Sequence, residues 1–368
     1  MLDQTPPEIC AHIFNFACRD SGYTGRSLSL VSRYIHEASE PARLQSIALV
    51  GRKQILAFAA LLEQTPAHLR TTRYLFINGQ ESEEEMEDVF DVANEGWRRA
   101  QMERNRLLAQ EDALSLNNER VQELDEEIAR ESVRTKQYLE GFGREAADAV
   151  ERILRNVAAT LELLDLALGE YVAKMMLNTV SLLRLKDLTT RCCFPLHPTG
   201  IPVLEPCHSL RYLHIVEVGD QWAWTTRFFE DGISHFAPSL THLRLSQLEQ
   251  DDSLINDLEQ ALGLVVPGPR ATISPLPPTL ELVLIKLDVA PPPHEGCSCC
   301  DDTIVYYDLL KNTRRLRDKG DHRVIVLEVD ASPAEEDVYF REWSEKADGA
   351  PCRWDTSRTD LIPLEPDA

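Results

Sequence analysis

Hydrophobic residues near the N-terminus recur at helical spacing, first over residues 9–17 and again over residues 28–35. Pro6 and Pro7 precede the first run, and proline suits the first turn of a helix because its missing N–H has no intrahelical partner there. Pro41 ends the second run. The pattern predicts three short helices within about forty residues. Such a unit is too small to bury a core comfortably by itself, so we expect it to lean on a partner and on the domain behind it.

A strand, a helix and a second strand are predicted next. Residues 45–50 form a short β-prone run, residues 54–62 are apolar on too many sides for a surface helix, and residues 73–77 alternate as a strand does. The order predicts a βαβ unit whose buried helix ends before Pro66.

Residues 81–143 are predicted to form a charged helical insertion. Six acids fall within residues 81–88, and the composition of residues 97–138 favours a long helix. Four apolar residues are spaced seven apart, as in one of the two apolar positions of a coiled-coil heptad. The residues three positions later are mostly polar, so the second apolar position of the heptad is missing. Either the helix touches the body along one thin stripe, or it is a weak oligomerisation or partner-binding arm. The apolar column consists of Leu107, Leu114, Val121 and Ile128.

Gly141 and Gly143 are expected to break this helix. A second, strongly amphipathic helix is predicted from about residue 147 to residue 168, because apolar residues repeat there every three to four positions. Its apolar stripe must face a core.

A short hydrophobic template recurs through the C-terminal half of the chain, with apolar residues three and five positions after the first. The starts of its four copies are 30, 30 and 40 residues apart, and Thr72 begins a similar segment. The template resembles the strands of leucine-rich repeats, although no asparagine or cysteine ladder follows it. The alternative is an open α/β sheet whose strands start alike. Both interpretations predict parallel strands joined by crossovers. The copies begin at Val180, Leu210, Leu240 and Leu280.

Helices and loops alternate through the remaining chain. We predict helices at residues 228–236, 252–264, 306–316 and 333–346, and a strand at residues 323–329. The proline-rich residues 195–206 and 265–293 predict loops, and the polar chain after Pro351 is expected to fray.

The formal net charge of −23 argues against nucleic acid or an anionic membrane surface as a partner, because both require a basic face. No apolar run approaches the length of a membrane span, and the N-terminus lacks the pattern of a secretory signal. The cysteines number nine, an odd count, and they are scattered. We therefore expect a cytoplasmic or nuclear protein with reduced thiols.

Cysteine and histidine give little support for a metal or catalytic site. His294 precedes Cys297-Ser298-Cys299-Cys300, but zinc sites usually need a second ligand pair further along the chain. The sequence contains no phosphate-binding glycine loop, dinucleotide fingerprint, zinc-protease helix or serine-hydrolase elbow. We expect no enzyme activity, metal or cofactor. Trp222 and Trp224 are candidate anchors for a bound protein or, alternatively, buried packing residues.

The N-terminal pattern resembles the F-box, the adaptor-binding motif of Skp1–cullin ubiquitin ligases. The matching segments are Pro6-Pro7-Glu8-Ile9 and Leu28-Ser29-Leu30-Val31-Ser32-Arg33, followed by Ile35. The chain that continues to Leu49 resembles the variant common in mushroom-type fungi. Thr5 stands where the family usually has leucine, and Ile35 where it often has tryptophan. Both differences would reduce apolar contact with the adaptor.

This resemblance implies a substrate-recognition subunit of a Skp1–cullin–F-box ubiquitin ligase, which makes and breaks no bond itself. The implied partners are a Skp1-type adaptor with its cullin complex, and an unknown protein substrate that the repeat domain would bind. The implied adaptor-binding residues are Pro6, Pro7, Glu8, Ile9, Ile13, Phe16, Leu28, Leu30, Val31 and Ile35.

The predicted fold class is α/β, with an N-terminal F-box helical module and an irregular leucine-rich-repeat-like domain. The module covers residues 1–45, the domain residues 46–350 with the 81–143 insertion, and a flexible tail residues 351–368. Two other functions stay open. One is a non-ligase scaffold that uses the repeat surface and the charged helix, and the other is a hydrolase or metal enzyme whose site is assembled from distant residues.

Overall fold

Eight parallel strands form one sheet in the computed structural model, and their order in the sheet is their order in the chain. The prediction of an α/β protein with parallel strands and crossovers is therefore confirmed. Each strand pairs with the next one along the chain, which is a repeat-like arrangement. The structure describes residues 5–79, 83–109, 118–176, 178–192, 194, 204–216, 228–248, 252–265, 273–289, 301–319, 322–327, 337–350 and 354.

Short strands alternate with helices of very different length. The strands are β1 (Ser46–Val50), β2 (Tyr74–Gly79), β3 (Leu163–Leu168), β4 (Asp187–Thr190), β5 (Tyr212–Val216), β6 (His242–Leu248), β7 (Leu282–Leu287) and β8 (Val324–Val326). The helices are α1 (Pro7–Ala17), α2 (Tyr23–Leu28), α3 (Arg33–Ser39), α4 (Arg52–Gln64), α5 (Glu83–Leu108), α6 (Asn118–Val157), α7 (Glu170–Ala173), α8 (Ile233–Phe236), α9 (Asp252–Ala261), α10 (Asp301–Asp318) and α11 (Asp337–Asp348). A 3₁₀ turn lies at Ala67–Leu69 and a π-helical turn at Phe228–Gly232.

Two rows of side chains, almost all apolar, cross the whole sheet on one face and form the main core. In-register pairing gives every strand one residue in each row, because alternate residues of a strand point to the same face. Crossover helices α4, α6, α9 and α10 pack on this face. The first row is Ile47, Leu75, Leu164, Leu188, Leu213, Leu243, Val283 and Val324, and the second is Leu49, Ile77, Leu166, Thr190, Ile215, Leu245, Ile285 and Val326.

The repeated template locates three of these strands and misplaces a fourth. The copies that begin at residues 210, 240 and 280 place their later apolar residues in the two rows, on β5, β6 and β7. The copy at Val180 predicts a strand over residues 180–185, but Val180 makes only an isolated bridge there and Leu183 is exposed. A turn, in which the Leu185 N–H donates to the carbonyl of Leu182 at 3.1 Å, delays the strand until Asp187.

The amphipathic helix predicted to reach residue 168 ends at Val157 instead. The chain turns there, with the Leu161 N–H bonded to the carbonyl of Val157 at 3.0 Å, and it enters strand β3. Because β3 is buried on both faces, it lacks the alternation that marks a half-exposed strand. The apolar residues at positions 161, 164 and 168 therefore matched helical spacing by coincidence.

Helices α5 and α6 form an antiparallel hairpin in place of the single long helix predicted over residues 97–138. Arg104 pairs with Asp125, and the Thr135 hydroxyl lies 2.7 Å from the carbonyl oxygen of Ala93. Moving along α5 from Ala93 to Arg104, the contacted residue on α6 moves back from Thr135 to Asp125. The two helices therefore run antiparallel. Leu124 of α6 is fully buried.

The apolar heptad column is consequently divided between the two helices of the hairpin. Leu107 belongs to α5, whereas Val121 and Ile128 belong to α6. Leu114 lies outside the described residues. The column is thus not a continuous stripe along one helix.

Gly141 and Gly143 do not break α6, which runs continuously through both. A Cβ atom at Gly143 would lie 2.4 Å from the carbonyl oxygen of Tyr171, so glycine permits the close approach of α6 to α7. A Cβ atom at Gly141 would meet nothing within 4 Å. Only Gly143 is therefore required by packing.

Alanine substitutions at these two glycines should have opposite effects on stability. Gly143→Ala should destabilise the protein by about 1–3 kcal/mol, because the backbone of Tyr171 must move away. Gly141→Ala should stabilise it by up to about 1 kcal/mol, because alanine favours the helix interior over glycine. Urea unfolding of both variants and the parent measures this. Equal effects of the two substitutions would contradict the packing described for Gly143.

Candidate functional site

Helices α1, α2 and α3 form an N-terminal module that has a core of its own. Helix α1 contributes Cys10 and Phe14, which lie on one side of the helix because they are four residues apart, and Cys18 follows directly after its end. Ile35 of α3 and Ala42 complete this core. It is separate from the main core beneath the sheet.

Two polar side chains determine how the module's helices begin. The Ser32 Oγ accepts a hydrogen bond of 3.2 Å from the N–H of Ile35 and so caps α3. The Asp20 carboxylate accepts bonds of 2.9 and 2.7 Å from the N–H and hydroxyl of Thr24 at the start of α2. Ile35, predicted to contact a partner, is 2% exposed, because it packs against Cys10 and Phe14 of α1 in the core of the module. Its physical role is in the core of the module.

The other face of α1 is also apolar, and it is open to solvent. Ile9, Ile13 and Phe16 are between 47% and 58% exposed. A helix that is apolar on both faces normally has both faces covered, yet the module covers only one. Exposed groups of large apolar side chains mark interaction surfaces.

Two further large apolar residues protrude from the turn between α2 and α3. Leu30 is 80% exposed and Val31 is 64% exposed. The turn is held by hydrogen bonds from the Leu30 N–H to the carbonyl of Ser27 at 3.1 Å and from the Val31 N–H to that of Leu28 at 3.2 Å. We call Ile9, Ile13, Phe16, Leu30 and Val31 the exposed apolar set.

The remaining predicted partner residues lie at the edges of this set. Pro6, Pro7 and Glu8 open α1 and are exposed, as the sequence predicted for a proline-initiated helix. Leu28 is half-buried against the core of the module. Tyr23, which lies in neither apolar run of the sequence, is strongly exposed at the first residue of α2.

The module is fixed to the sheet along its edge strand β1. The Ala48 N–H donates to the carbonyl of Ser21 at 3.3 Å, and the Ser46 hydroxyl donates to the carbonyl of Arg19 at 3.0 Å. Gly25 packs so tightly that a Cβ atom there would lie 2.6 Å from the carbonyl oxygen of Arg43. These contacts cover the sheet edge and hold the exposed apolar set in a defined position relative to the sheet.

A cleft of about 460 Å³ lies where the module meets the strands. Its charged lining centres on Glu162, which pairs with Arg73 and Lys186 at 2.8 Å each. Burial opposes ionisation of Glu162, but Lys186 and Arg73 together lower the pKa of this carboxyl. The carboxylate of Glu162 in this cleft is therefore neutralised by two cations. Other lining residues are His12, Asn15, Phe16, Arg19 and Arg184.

His214 and Ser246 form a buried pair in the sheet, with 2.9 Å between Nε2 and Oγ. The Arg244 Nε donates to the same Oγ at 3.1 Å. Burial, aided by Arg244, lowers the pKa of His214 well below its usual value, which weakens it as a base. The pair links β5 to β6 as a structural contact.

Within the described part of the chain, no group of three or more histidine, cysteine or acidic side chains is placed to hold a metal ion. The cluster at residues 297–300 and the tryptophans at positions 222 and 224 lie outside the described residues. Among the described helices, none is long and apolar enough to cross a membrane.

Comparison with known proteins gives no relative for this chain. No family model matches it, and no curated protein and no solved structure matches it.

Truncation of the Ile35 side chain to alanine should destabilise the N-terminal module, whereas truncation of Leu30 to alanine should not. Ile35→Ala leaves a cavity, a change that costs about 2–5 kcal/mol in protein cores, while exposed sites usually change stability by about 0.5 kcal/mol or less.

Burial, with a smaller contribution from Asp20, raises the pKa of the Cys18 thiol to about 11 and suppresses its reaction.

Thiol labelling in native buffer measures the destabilisation of the module. Ile35→Ala should speed the labelling of Cys10 and Cys18 by about tenfold or more, and Leu30→Ala should leave the rate unchanged. An unchanged rate in Ile35→Ala would show that Ile35 does not hold the module closed.

Proposed function

We propose that this protein is a substrate-recognition subunit of a Skp1–cullin–F-box ubiquitin ligase. The observation that supports this most is the exposed apolar set on an ordered module whose own core is already closed on the opposite side of α1. The sequence there resembles the F-box. The sheet domain would then hold the protein target.

Burial of the exposed apolar set is large enough to drive association. Complete burial of a fully exposed large apolar side chain contributes about 1.5–3 kcal/mol, and because the five residues are between 47% and 80% exposed, covering them contributes about 5–9 kcal/mol. Association costs of similar size oppose this, which makes the binding free energy sensitive to each contact. We therefore expect single changes in the set to have visible effects.

The departures from the F-box pattern have unequal weight. Ile35 stands where the family often has tryptophan, but its side chain is buried, so the difference alters packing in the module rather than contact with an adaptor. Thr5 stands at the entry to α1, where its carbonyl accepts a hydrogen bond from the Tyr34 hydroxyl. The exposed apolar set itself retains the family's residue types at Ile9, Leu30 and Val31.

Such a subunit acts through effective concentration. It would hold a target protein and the ubiquitin-conjugating machinery on one assembly, so that a target lysine meets the reactive thioester at high local concentration. The fixed attachment of the module to β1 suits this role, because it sets the distance between adaptor and target.

A non-ligase scaffold is the second candidate, and the hairpin of α5 and α6 favours it. The hairpin exposes large apolar side chains although most of its surface is charged. Those residues could bind a partner along the hairpin. They are Val92, Trp97, Met102, Val133 and Tyr138.

Capture by a purified Skp1-type adaptor tests the ligase proposal. The parent protein should bind, and Ile9→Asp and Leu30→Asp should each weaken binding about tenfold or more, because each places a charge in an apolar interface. Both side chains are exposed, so folding should be unaffected.

Leu183→Asp is the matched control, since Leu183 is 68% exposed and lies in the turn before β4. It should bind like the parent. Equal capture of all variants would show that the assigned surface is wrong, and no capture of the parent would reject the adaptor and favour the scaffold.

A further inference from the structure

The face of the sheet opposite the two rows is buried and largely polar, with one small apolar cluster that contains Phe76, Leu163 and Val216. Strands β3 to β6 present charged, imidazole and hydroxyl side chains there, and helix α11 and Trp354 lie over them. A face built only to be buried would be expected to be apolar, as the other face is. The buried polar residues include Asp165, Asp187, Arg191, His214, Arg244 and Ser246.

Helix α11 matches this face by charge. Lys346 lies 2.8 Å from the Asp187 carboxylate on β4, and Glu342 lies 4.0 Å from the Arg244 guanidinium on β6. Glu342 and Lys346 are four residues apart, so they lie on the same side of the helix. A carboxylate and a guanidinium of the sheet are thus paired with an ammonium and a carboxylate of the helix at the same time.

Aromatic side chains of α11 complete the contact. Trp343, between the two charged positions, is buried with its ring centroid 5.7 Å from that of Phe76 on β2. Phe340 packs edge-on against Phe76 at 5.5 Å. The Arg191 guanidinium lies 4.6 Å from the ring centroid of Tyr339. The helix therefore presents aromatic residues and both signs of charge on its inner side.

The fit between α11 and the sheet is incomplete. The Nε atom of Arg191 and the Nε1 atom of Trp343 are buried without a hydrogen-bond partner. Burial also raises the pKa of Asp165, even though its pairing with Arg191 at 2.7 Å opposes this. Unsatisfied polar atoms and buried charges weaken a contact. A partner helix that supplied a hydrogen-bond acceptor to the Arg191 Nε atom would compete with α11, because that atom lies on the sheet side of the contact.

We propose that this polar face is a binding surface for an amphipathic helix of a partner protein and that α11 occupies it as an internal competitor. The partner helix would carry an acid, an aromatic residue directly after it and a lysine or arginine four positions after the acid, as Glu342, Trp343 and Lys346 do. In a ligase subunit this face would receive the target. The inference does not require adaptor capture and is tested without an adaptor.

The test makes α11 exchangeable in a protein that has already folded. A protease site is inserted within residues 328–336 of the full chain, and the purified protein is cut. A fluorescent peptide of residues 337–354 is then added. We expect saturable binding as the peptide replaces the cut segment, while circular dichroism and the urea midpoint show that the sheet stays folded.

Charge reversal tests the register. Lys346→Glu in the peptide should weaken binding at least about tenfold, because Asp187 then faces a like charge. Binding of this peptide should recover when the cut protein carries Asp187→Lys. Glu345→Lys, on the exposed side of α11, is the control and should bind like the parent peptide.

Two results would overturn the proposal. If the cut segment leaves only when the sheet unfolds, with no exchange at native conditions, α11 is a permanent part of the core. If exchange occurs but Lys346→Glu binds like the control, the charge register does not define the surface. Either result leaves the adaptor proposal untouched, just as failed adaptor capture would leave this one.

Discussion

Burial of the two rows of side chains on one face of the sheet is the interaction on which the rest of the structure depends. Every strand contributes one residue to each row, and the crossover helices cover both rows. Because consecutive strands are neighbours, each crossover has only to return the chain by one strand spacing. Crossover length is therefore free to vary. The connection from β2 to β3 uses this freedom to carry the hairpin of α5 and α6, whose inner end still packs on the rows through Ile153 and Val157.

The sequence predicts the strands in which the residues of the two rows recur at fixed spacing. These are β5, β6 and β7, and in β5 and β6 the residue between the two row positions is polar (His214 and Arg244), so the apolar template stands out although both faces are buried. Strand β3 is buried on both faces and has no alternation, so its leucines matched a helix. Strand β4 places Thr190 in the second row, which a hydrophobic template does not recognise. That hydroxyl is satisfied locally, since it lies 2.7 Å from the carbonyl oxygen of Phe194.

The sequence predicts the residue types of the candidate surface, but it does not predict which side of each helix faces solvent. Apolar spacing identified α1, yet both Ile9 and Cys10 belong to apolar stripes, and only packing against α3 decides which stripe is covered. Ile35 is predicted to bind the partner with the residues of the exposed apolar set, whereas packing against α1 buries it in the core of the module. The polar face under α11 could not be predicted from local pattern, since Asp187 and Lys346 are 159 residues apart. Pairs of this separation leave no periodic signal.

The two faces of the sheet differ in the free energy that exposure to water would cost. Leucine and isoleucine rows exposed to water would carry a large hydrophobic cost, so their covering helices must stay in place. Asp187 and Arg244 would instead gain hydration if α11 left, and this gain would offset part of the lost contact. A sheet with one apolar and one largely polar face can thus keep its fold while one covering helix is exchanged for another that covers Phe76, Leu163 and Val216 in the same way. That exchange would also reach the module on β1, because the Arg19 Nη1 donates to the carbonyl of Asp348 in α11 at 3.4 Å and Ala48 packs against the apolar cluster under α11.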